Sequence, residues 1–244
     1  MKQTTRFIYS LCILLSLVFT ACTDILMGDQ GKLDEDIYTN YQTITNLELP
    51  FEEEWFVVNG GKTHREGAHH FTSRGAGERY AIDFLMVKDT ILENGVVRKI
   101  HYSGDWRQNE NHYCFGKRLN APASGKIVKV VNDVEDNIPS NINSDQPGGN
   151  YIQIDHINGE TSILAHLKKG SIIVAEGDFV VQGQEIGQVG NSGASDTPHL
   201  HYQLQGTSGN LEGLGLPAQF LNYYENDTFV ARGEPIKNQE VRKN

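Results

Sequence analysis

The apolar and polar positions of this chain alternate in short runs that predict β-strands. The clearest runs are rich in β-branched and aromatic residues and span positions 55–58, 126–131, 151–154, 161–165 and 199–204. Asn158-Gly159 lies between two of these runs, which is a strong hairpin signal. No stretch longer than about ten residues repeats with a period of 3.6, so few helices are expected. The pattern predicts an all-β fold in which antiparallel sheets pack against each other, with few short helices.

The first 22 residues have the charge and hydropathy pattern of an export signal. Lys2 and Arg6 precede the apolar run 7–19, and small residues lead up to Cys22. The run is shorter than the roughly 20 apolar residues that a transmembrane helix needs. Residues 1–21 are therefore predicted to be a signal peptide. The segment before Cys22 also resembles a bacterial lipobox, which implies that Cys22 is lipidated and anchors the chain to a membrane. An ordinary secretory peptide with an incidental cysteine is the alternative.

The remaining chain divides by composition into three parts. Residues 22–50 are polar and acidic and predict a tether. Residues 51–226 carry the strand pattern and predict one globular domain. Residues 227–244 predict a loose C-terminal tail, and residues 216–221 a short helix or an ordered strap.

Two long connections interrupt the strand pattern, at residues 85–119 and 132–148. Long loops beside a sheet often form the walls of a site. The alternative is that these connections are disordered insertions without a role in the site. Within the first connection, Asp105-Trp106 and Tyr113 are the candidate substrate contacts.

Composition narrows the classes of partner. The formal net charge is −10, and no cluster of Lys and Arg is present, which argues against a nucleic-acid ligand. Of the three cysteines, Cys12 lies in the predicted signal peptide and Cys22 in the lipobox, so Cys114 has no partner for an internal disulfide. Cys114 is interpreted as a small buried hydrophobic residue rather than a catalytic thiol.

The candidate chemistry lies in a few histidines and one aspartate. His199 and His201 are two apart in a predicted strand, so their imidazoles share one face. His166 lies in the apolar run 163–167, and Asp83 in the apolar run 80–84, where an unpaired carboxylate would be expensive to bury. A carboxylate and several imidazoles on strand-like segments indicate a zinc site with mixed oxygen and nitrogen ligands.

Six sequence blocks, taken in order, resemble the lysostaphin-type zinc metallopeptidases, the murein endopeptidases that cut peptide cross-links of bacterial cell walls. The resemblance covers roughly residues 55 to 205, and the blocks lie at residues 80–84, 120–128, 149–156, 164–167, 177–187 and 190–201. It implies the fold of that peptidase domain, a location in the bacterial cell envelope (periplasm or outer membrane), and peptidoglycan peptides as substrate. By position it also implies that Asp83 and His201 bind zinc. His199 and His166 would flank the attacking water, as general base and as stabiliser of the tetrahedral intermediate.

The chain departs from the family at one ligand. The family's first zinc ligand is a histidine four residues before the aspartate, and Arg79 stands there. Arginine is permanently charged and has no lone pair for a metal. Either His70 or its neighbour His69 supplies the third ligand, or Arg79 replaces the charge of the ion in a degenerate site, or Arg79 lies outside the site and a water or another side chain fills the position. The preferred interpretation is His70. No motif supports a role for the remaining histidines, which are interpreted as surface or structural residues: His64, His101, His112 and His156.

Three functions are therefore weighed. The first is a zinc-dependent endopeptidase that hydrolyses peptide bonds in peptidoglycan, which explains why Asp83, His166, His199 and His201 all stand in family order. The second is a catalytically degenerate homologue that binds wall peptide or regulates a wall hydrolase, which the arginine at position 79 supports. The third is a carbohydrate-binding β-domain that uses aromatic side chains, and it leaves the two paired histidines unexplained.

Overall fold

A computed structural model of the chain describes residues 40–62, 76–92, 94–207 and 213–244. The regular secondary structure of the described residues consists of β-strands and two 3₁₀ segments, at Ala76–Glu78 and Asn109–Asn111. Their strands are β1 (Trp55–Asn59), β2 (Ile82–Leu85), β3 (Lys88–Ile91), β4 (Val97–Ile100), β5 (Arg118–Asn120), β6 (Gly125–Val131), β7 (Asn150–Asp155), β8 (Glu160–Leu167), β9 (Phe179–Val180), β10 (Glu185–Gln188), β11 (Leu200–Gly206), β12 (Gly215–Leu216), β13 (Phe220–Glu225), β14 (Thr228–Gly233) and β15 (Glu240–Lys243).

One large antiparallel sheet organises the domain. Its strand order is β14-β13-β15-β1-β2-β11-β8-β7-β6-β9, with β12 paired to β11. Two small sheets, β10-β5 and β3-β4, complete the described structure. The predicted all-β antiparallel fold with few short helices is confirmed.

The centre of the large sheet has an apolar face and a polar face. Ile82, Phe84 and Tyr202 on β2 and β11 are completely buried. Phe84 meets the edges of Phe51 and Phe220, with ring centroids 5.2 Å and 6.4 Å apart. Because side chains alternate along a strand, the residues between these core positions point to the opposite face. The polar face of β2 and β11 therefore presents the candidate site.

Most predicted strands lie where the pattern placed them. The runs at 126–131, 151–154 and 161–165 lie within β6, β7 and β8. The hairpin predicted at Asn158-Gly159 joins β7 to β8, and Gly159 has a φ of 94°.

Two predicted boundaries differ from the structure, and of the two alternatives for residues 216–221 the structure excludes the helix but not the ordered strap. The tail after residue 226 is not loose, because β14 pairs with β13, and Val241 of β15 pairs with Trp55 and is completely buried. The compact unit begins at residue 42 rather than 51, since Leu47 and Leu49 are fully buried and hold that segment in the core. Residues 216–221 form no helix; they contain the end of β12 and the start of β13.

Several predictions fall on residues that the structure does not describe. The signal peptide, Cys22 and most of the tether lie within residues 1–39, and His64, His69 and His70 lie within residues 63–75. Among the residues that the structure describes, no helix has the length and apolar character needed to cross a membrane.

Candidate functional site

Asp83 and His201 form the centre of the candidate site, on neighbouring strands. They are direct cross-strand partners in the antiparallel pairing of β2 with β11, which brings two side chains of the same face within contact. His201 Nδ1 lies 3.0 Å from Asp83 Oδ1. On the other side of β2, Asn59 of β1 donates a 2.8 Å hydrogen bond to Asp83 Oδ2. Asp83 is 6% exposed, so these partners compensate the burial of its charge.

His166 joins the site through an irregularity in β8. Ala165 pairs with His201 across the sheet, so strict alternation would place His166 on the opposite face. His166 instead has a φ of 63°, and the pairing of β8 with β7 shifts register between Asn150 and Ile152. A left-handed residue at a bulge redirects its side chain. The imidazole of His166 accordingly packs against those of His199 and His201, with centroids 4.9 Å and 5.5 Å apart.

Backbone carbonyls fix the ring orientation of His166 and His199. His166 Nδ1 donates to Ser192 O at 2.9 Å, and His199 Nδ1 donates to Thr197 O at 2.8 Å. In a neutral imidazole whose Nδ1 carries the proton, Nε2 keeps a lone pair. Nε2 of His199 points into the site, 3.7 Å from Asp83 Oδ1. Both histidines are therefore oriented to accept a proton or a hydrogen bond through Nε2.

The three imidazoles differ in their electrostatic surroundings. Burial, together with the neighbouring His199 and His201, holds the pKa of His166 well below its ordinary value, so His166 is neutral near pH 7. Burial also acts to lower the pKa of His201, but the hydrogen bond and charge of Asp83, with a contribution from Gln203, outweigh it and raise the pKa. His201 Nε2 contacts Gln203 Oε1 at 2.8 Å, so each nitrogen of His201 has an oxygen partner.

A buried hydrogen-bond network supports the loop that holds His166. Asn150 is completely buried, and its side chain bonds to both backbone groups of Val134 and to the carbonyl of Leu167. Its backbone N–H donates to Ser192 Oγ, which in turn donates to Leu167 O. The residue that accepts the proton of His166 Nδ1 is thus tied to the strand that carries His166.

The donor atoms of the described residues can be compared with the geometry of a zinc site. Two donor atoms on one tetrahedral zinc, each bonded at about 2.0–2.2 Å, lie roughly 3.3–3.6 Å apart. Asp83 Oδ1 and His201 Nδ1 lie 3.0 Å apart, which is a hydrogen-bond distance and shorter than this spacing. A catalytic zinc also takes three protein ligands, and no three His, Cys, Asp or Glu side chains in the described part of the chain are grouped to hold an ion. The described residues alone therefore do not make a complete zinc site, and the predicted third ligand His70, like His69, lies outside them.

Two cavities meet at the histidines, and His166 and His201 line both. The larger, of about 490 Å³, is a cleft over the polar face whose other polar lining residues include Lys99, His101 and Asp196. The smaller, of about 170 Å³, lies toward the 3₁₀ segment Ala76–Glu78.

The sequence interpretation missed some residues near the site and misplaced others. His101, interpreted as a surface or structural residue, lines the larger cavity, where the hairpin β3-β4 brings it. Trp106 and Tyr113, the predicted substrate contacts, line neither cavity. His112 is buried and bonds to Trp106 O, as expected of a structural residue.

Comparison with known proteins shows what the domain is similar to. Residues 100–212 match Peptidase family M23. The chain is 45% identical over 56 residues to peptidoglycan DD-endopeptidase ShyA of Vibrio cholerae (23% of this chain, 13% of that protein), and 37% identical over 92 residues to ShyC of the same organism (36% and 21%). The chain thus spans only a fraction of the length of these relatives. The catalytic domain of lysostaphin from Staphylococcus simulans superposes with a TM-score of 0.37 at 21% identity, covering 67% of this chain and 86% of that domain. Residues 100–212 are thus similar to peptidase family M23, and the chain is also 34% identical over 110 residues to lysostaphin of Staphylococcus staphylolyticus (45% of this chain, 19% of that protein).

Proposed function

We propose that this protein is a zinc-dependent endopeptidase that hydrolyses peptide bonds in peptidoglycan cross-links. The observation that carries the proposal is the convergence of Asp83, His166, His199 and His201 on one face of the sheet. The names of ShyA and ShyC as peptidoglycan DD-endopeptidases support the choice of substrate.

Asp83 and His201 would hold the zinc ion, with His70 as the third ligand and His69 as its alternative. When bound, the ion supplies Lewis acidity toward the carbonyl oxygen of the scissile amide. Asn59 fixes the carboxylate of Asp83, and such a partner of a ligand restricts its orientation.

His199 would transfer the proton, and His166 would provide a hydrogen bond. His199 Nε2 is aimed into the cleft, so it accepts the proton of the attacking water and later returns it to the leaving amine. Burial and two neighbouring imidazoles keep His166 neutral, so it serves as a hydrogen-bond partner rather than as the group that becomes charged. General base catalysis of this kind contributes about 10²–10⁴-fold to the rate.

A degenerate binding protein is the second candidate, because Arg79 stands at the family's first ligand position and the described residues do not complete a zinc site. Such a protein would keep its affinity for wall peptides after loss of His199. The two candidates therefore differ in metal content and in turnover.

The test measures zinc and hydrolysis in the same samples. Zinc per chain is determined by elemental analysis, and the digestion of purified cross-linked muropeptides is followed by chromatography. We expect about one zinc per chain and turnover in the unsubstituted protein. His199→Ala should keep zinc and lose about 10²–10⁴-fold in rate. Asp83→Ala should lose both zinc and turnover, whereas Asp133→Ala, which removes an exposed carboxylate, should lose neither.

Separate His70→Ala and His69→Ala variants identify the third ligand, because only one of them should release the metal. An unsubstituted protein that retains no zinc and cleaves no muropeptide, yet binds it, would support the degenerate homologue instead.

Attachment to the cell envelope is a separate proposal. It rests on the lipobox-like sequence before Cys22. Labelled fatty acid should enter the protein in bacteria, and Cys22→Ser should abolish the label and release the protein from membranes. Equal labelling of the Cys22→Ser variant would contradict the anchor.

A further inference from the structure

The smaller cavity is lined by both apolar and polar residues. Pro147, Ile163 and Ala165 contribute apolar surface, and Tyr151 contributes an aromatic ring. Glu78, Gln153 and Gln203 contribute the polar groups. Because His166 and His201 also line this cavity, a group that fills it lies beside the residues assigned to hydrolysis.

The backbone holds Glu78 at this cavity. The side-chain amides of Gln203 and Gln205, on β11, both donate to the carbonyl oxygen of Gly77, at 3.2 Å and 3.3 Å. The amide of Ala81 donates to the carbonyl oxygen of Glu78 itself, which closes the turn into β2. The 3₁₀ segment is therefore fixed to the strand that carries His201.

One oxygen of the Glu78 carboxylate has no hydrogen-bond partner among the described residues. This atom, Oε2, is buried, and no ion pair joins Glu78 to another described side chain. A buried acceptor without a donor costs about 1–3 kcal/mol, more when it is charged, so a ligand that brings a cationic donor would recover that cost. Neither Asp83 nor His199 lines this cavity, whereas His201 does, and the charge of Glu78 is among the causes that raise the pKa of His201.

We propose that Glu78 and this cavity form a subsite for a primary ammonium group on a short aliphatic chain of the wall peptide. Methylene groups would lie against Pro147, Ile163 and Ala165, and the ammonium would donate to the carboxylate of Glu78. The inference rests on the proposed function for the identity of the ligand as wall peptide, and it makes Glu78 a determinant of substrate specificity.

The experiment compares one ligand with its amines free and blocked. A purified cross-linked muropeptide dimer is used untreated and after acetylation with acetic anhydride, which neutralises its primary amines. Binding is measured by calorimetry in the His199→Ala protein, so that the ligand is not consumed. We expect acetylation to weaken binding by about tenfold, the size of one charge-assisted hydrogen bond. Adding Glu78→Gln should reduce this difference to less than about twofold, whereas adding Glu110→Gln, an exposed glutamate of the other 3₁₀ segment, should leave it at tenfold.

The outcomes separate this inference from the proposed function. Equal binding of the free and acetylated ligands to the His199→Ala protein overturns the subsite, and this comparison needs no substitution of Glu78. A tenfold difference that persists in the Glu78→Gln variant also overturns it. Turnover of the untreated dimer by the unsubstituted protein is measured in parallel, because its absence refutes the hydrolase while leaving the binding comparison intact.

Discussion

Replacement of Asn150 by alanine tests whether the buried network behind His166 stabilises the domain. The side chain of Asn150 accepts from Val134 N at 2.8 Å and donates to Val134 O and Leu167 O at 2.8 Å and 3.0 Å. Asn150 is completely buried, so water does not replace these partners unless the structure opens. Alanine removes the three bonds and leaves the N–H and the carbonyl of Val134 without these partners, whereas Leu167 O keeps its bond from Ser192 Oγ.

The expected loss follows from these bonds. Each contributes about 1 kcal/mol net, and leaving a buried partner unsatisfied costs about 1–3 kcal/mol. Some relaxation of the loop around Val134 reduces the total, so we expect Asn150→Ala to lower the free energy of unfolding by about 3–4 kcal/mol. In a domain of this size each kcal/mol shifts Tm by about 2–4 °C, which gives a decrease of about 6–16 °C.

The assay is urea unfolding followed by tryptophan fluorescence, because Trp55 is buried in the core and reports its exposure. Asn141→Ala is the matched control, since Asn141 is exposed; it should change the free energy of unfolding by less than about 0.5 kcal/mol. A loss below about 1 kcal/mol for Asn150→Ala would refute the reasoning, because that amount is typical of a substitution outside a buried network.

Three further predictions use other features of the domain. At Gly193, with φ 79°, a Cβ would lie 2.4 Å from Gly149 N and 2.6 Å from Pro147 O, whereas at Gly183, with φ 80°, it would meet nothing within 4 Å. Gly193→Ala should therefore lower Tm by clearly more than Gly183→Ala, which carries only the backbone penalty of about 1–2 kcal/mol, and equal melting shifts would contradict the close approach. Burial raises the pKa of Cys114 to about 12. In a chain with Cys12 and Cys22 replaced by serine, the reaction of Cys114 with Ellman's reagent at pH 8 should therefore be at least about 1000-fold slower in the folded than in the urea-unfolded protein. Similar rates would show that the thiol is accessible. Burial lowers the pKa of His156, so below pH about 6.5 the unfolded chain binds a proton that the folded chain does not, and stability falls as the pH drops. Between pH 7 and pH 5, His156→Gln should lose less stability in urea titrations than the unsubstituted protein does, and an unchanged pH dependence would exclude this contribution.

The strand pattern and the shared face of the paired histidines were predictable because both depend on an alternation of period two. That alternation places His201 opposite the core residue Tyr202 and gives it the same orientation as Asp83 on the neighbouring strand. The resemblance to the lysostaphin-type peptidases implied the four site residues Asp83, His166, His199 and His201. The pairing of β2 with β11 was not available from local pattern, since it joins residues far apart in the chain.

The position of His166 illustrates what local pattern misses. Alternation along β8 gives His166 the orientation of Leu164, a core residue, and favours a structural histidine. The positive φ at His166 reverses that orientation. A left-handed conformation of a residue other than glycine is uncommon, and it depends on tertiary contacts such as the bond from His166 Nδ1 to Ser192 O. The backbone strain at His166 is compensated by contacts with residues that are distant in sequence, such as Ser192.

Local pattern also fails to predict that the C-terminal segment is ordered. The segment after residue 226 has few apolar residues, so it lacks the pattern of a buried strand. Val241 is nevertheless completely buried and pairs with Trp55, and the backbone of β15 forms hydrogen bonds with both β1 and β13. Hydrogen bonding between backbone groups does not depend on apolar content. A polar segment, which its composition predicts to be loose, can therefore pair with a strand of the sheet.

The orientations in the site follow from the backbone more than from the identities of its side chains. Asp83 is held by its register against Asn59 and His201, and the rings of His166 and His199 are held by the carbonyls of Ser192 and Thr197. None of these contacts involves the residue at position 79. The resemblance implies a ligand histidine where Arg79 stands, whereas the positions of these other groups are set by the sheet and by two loops. A single compensating histidine from the preceding segment would then be enough to restore a three-ligand site.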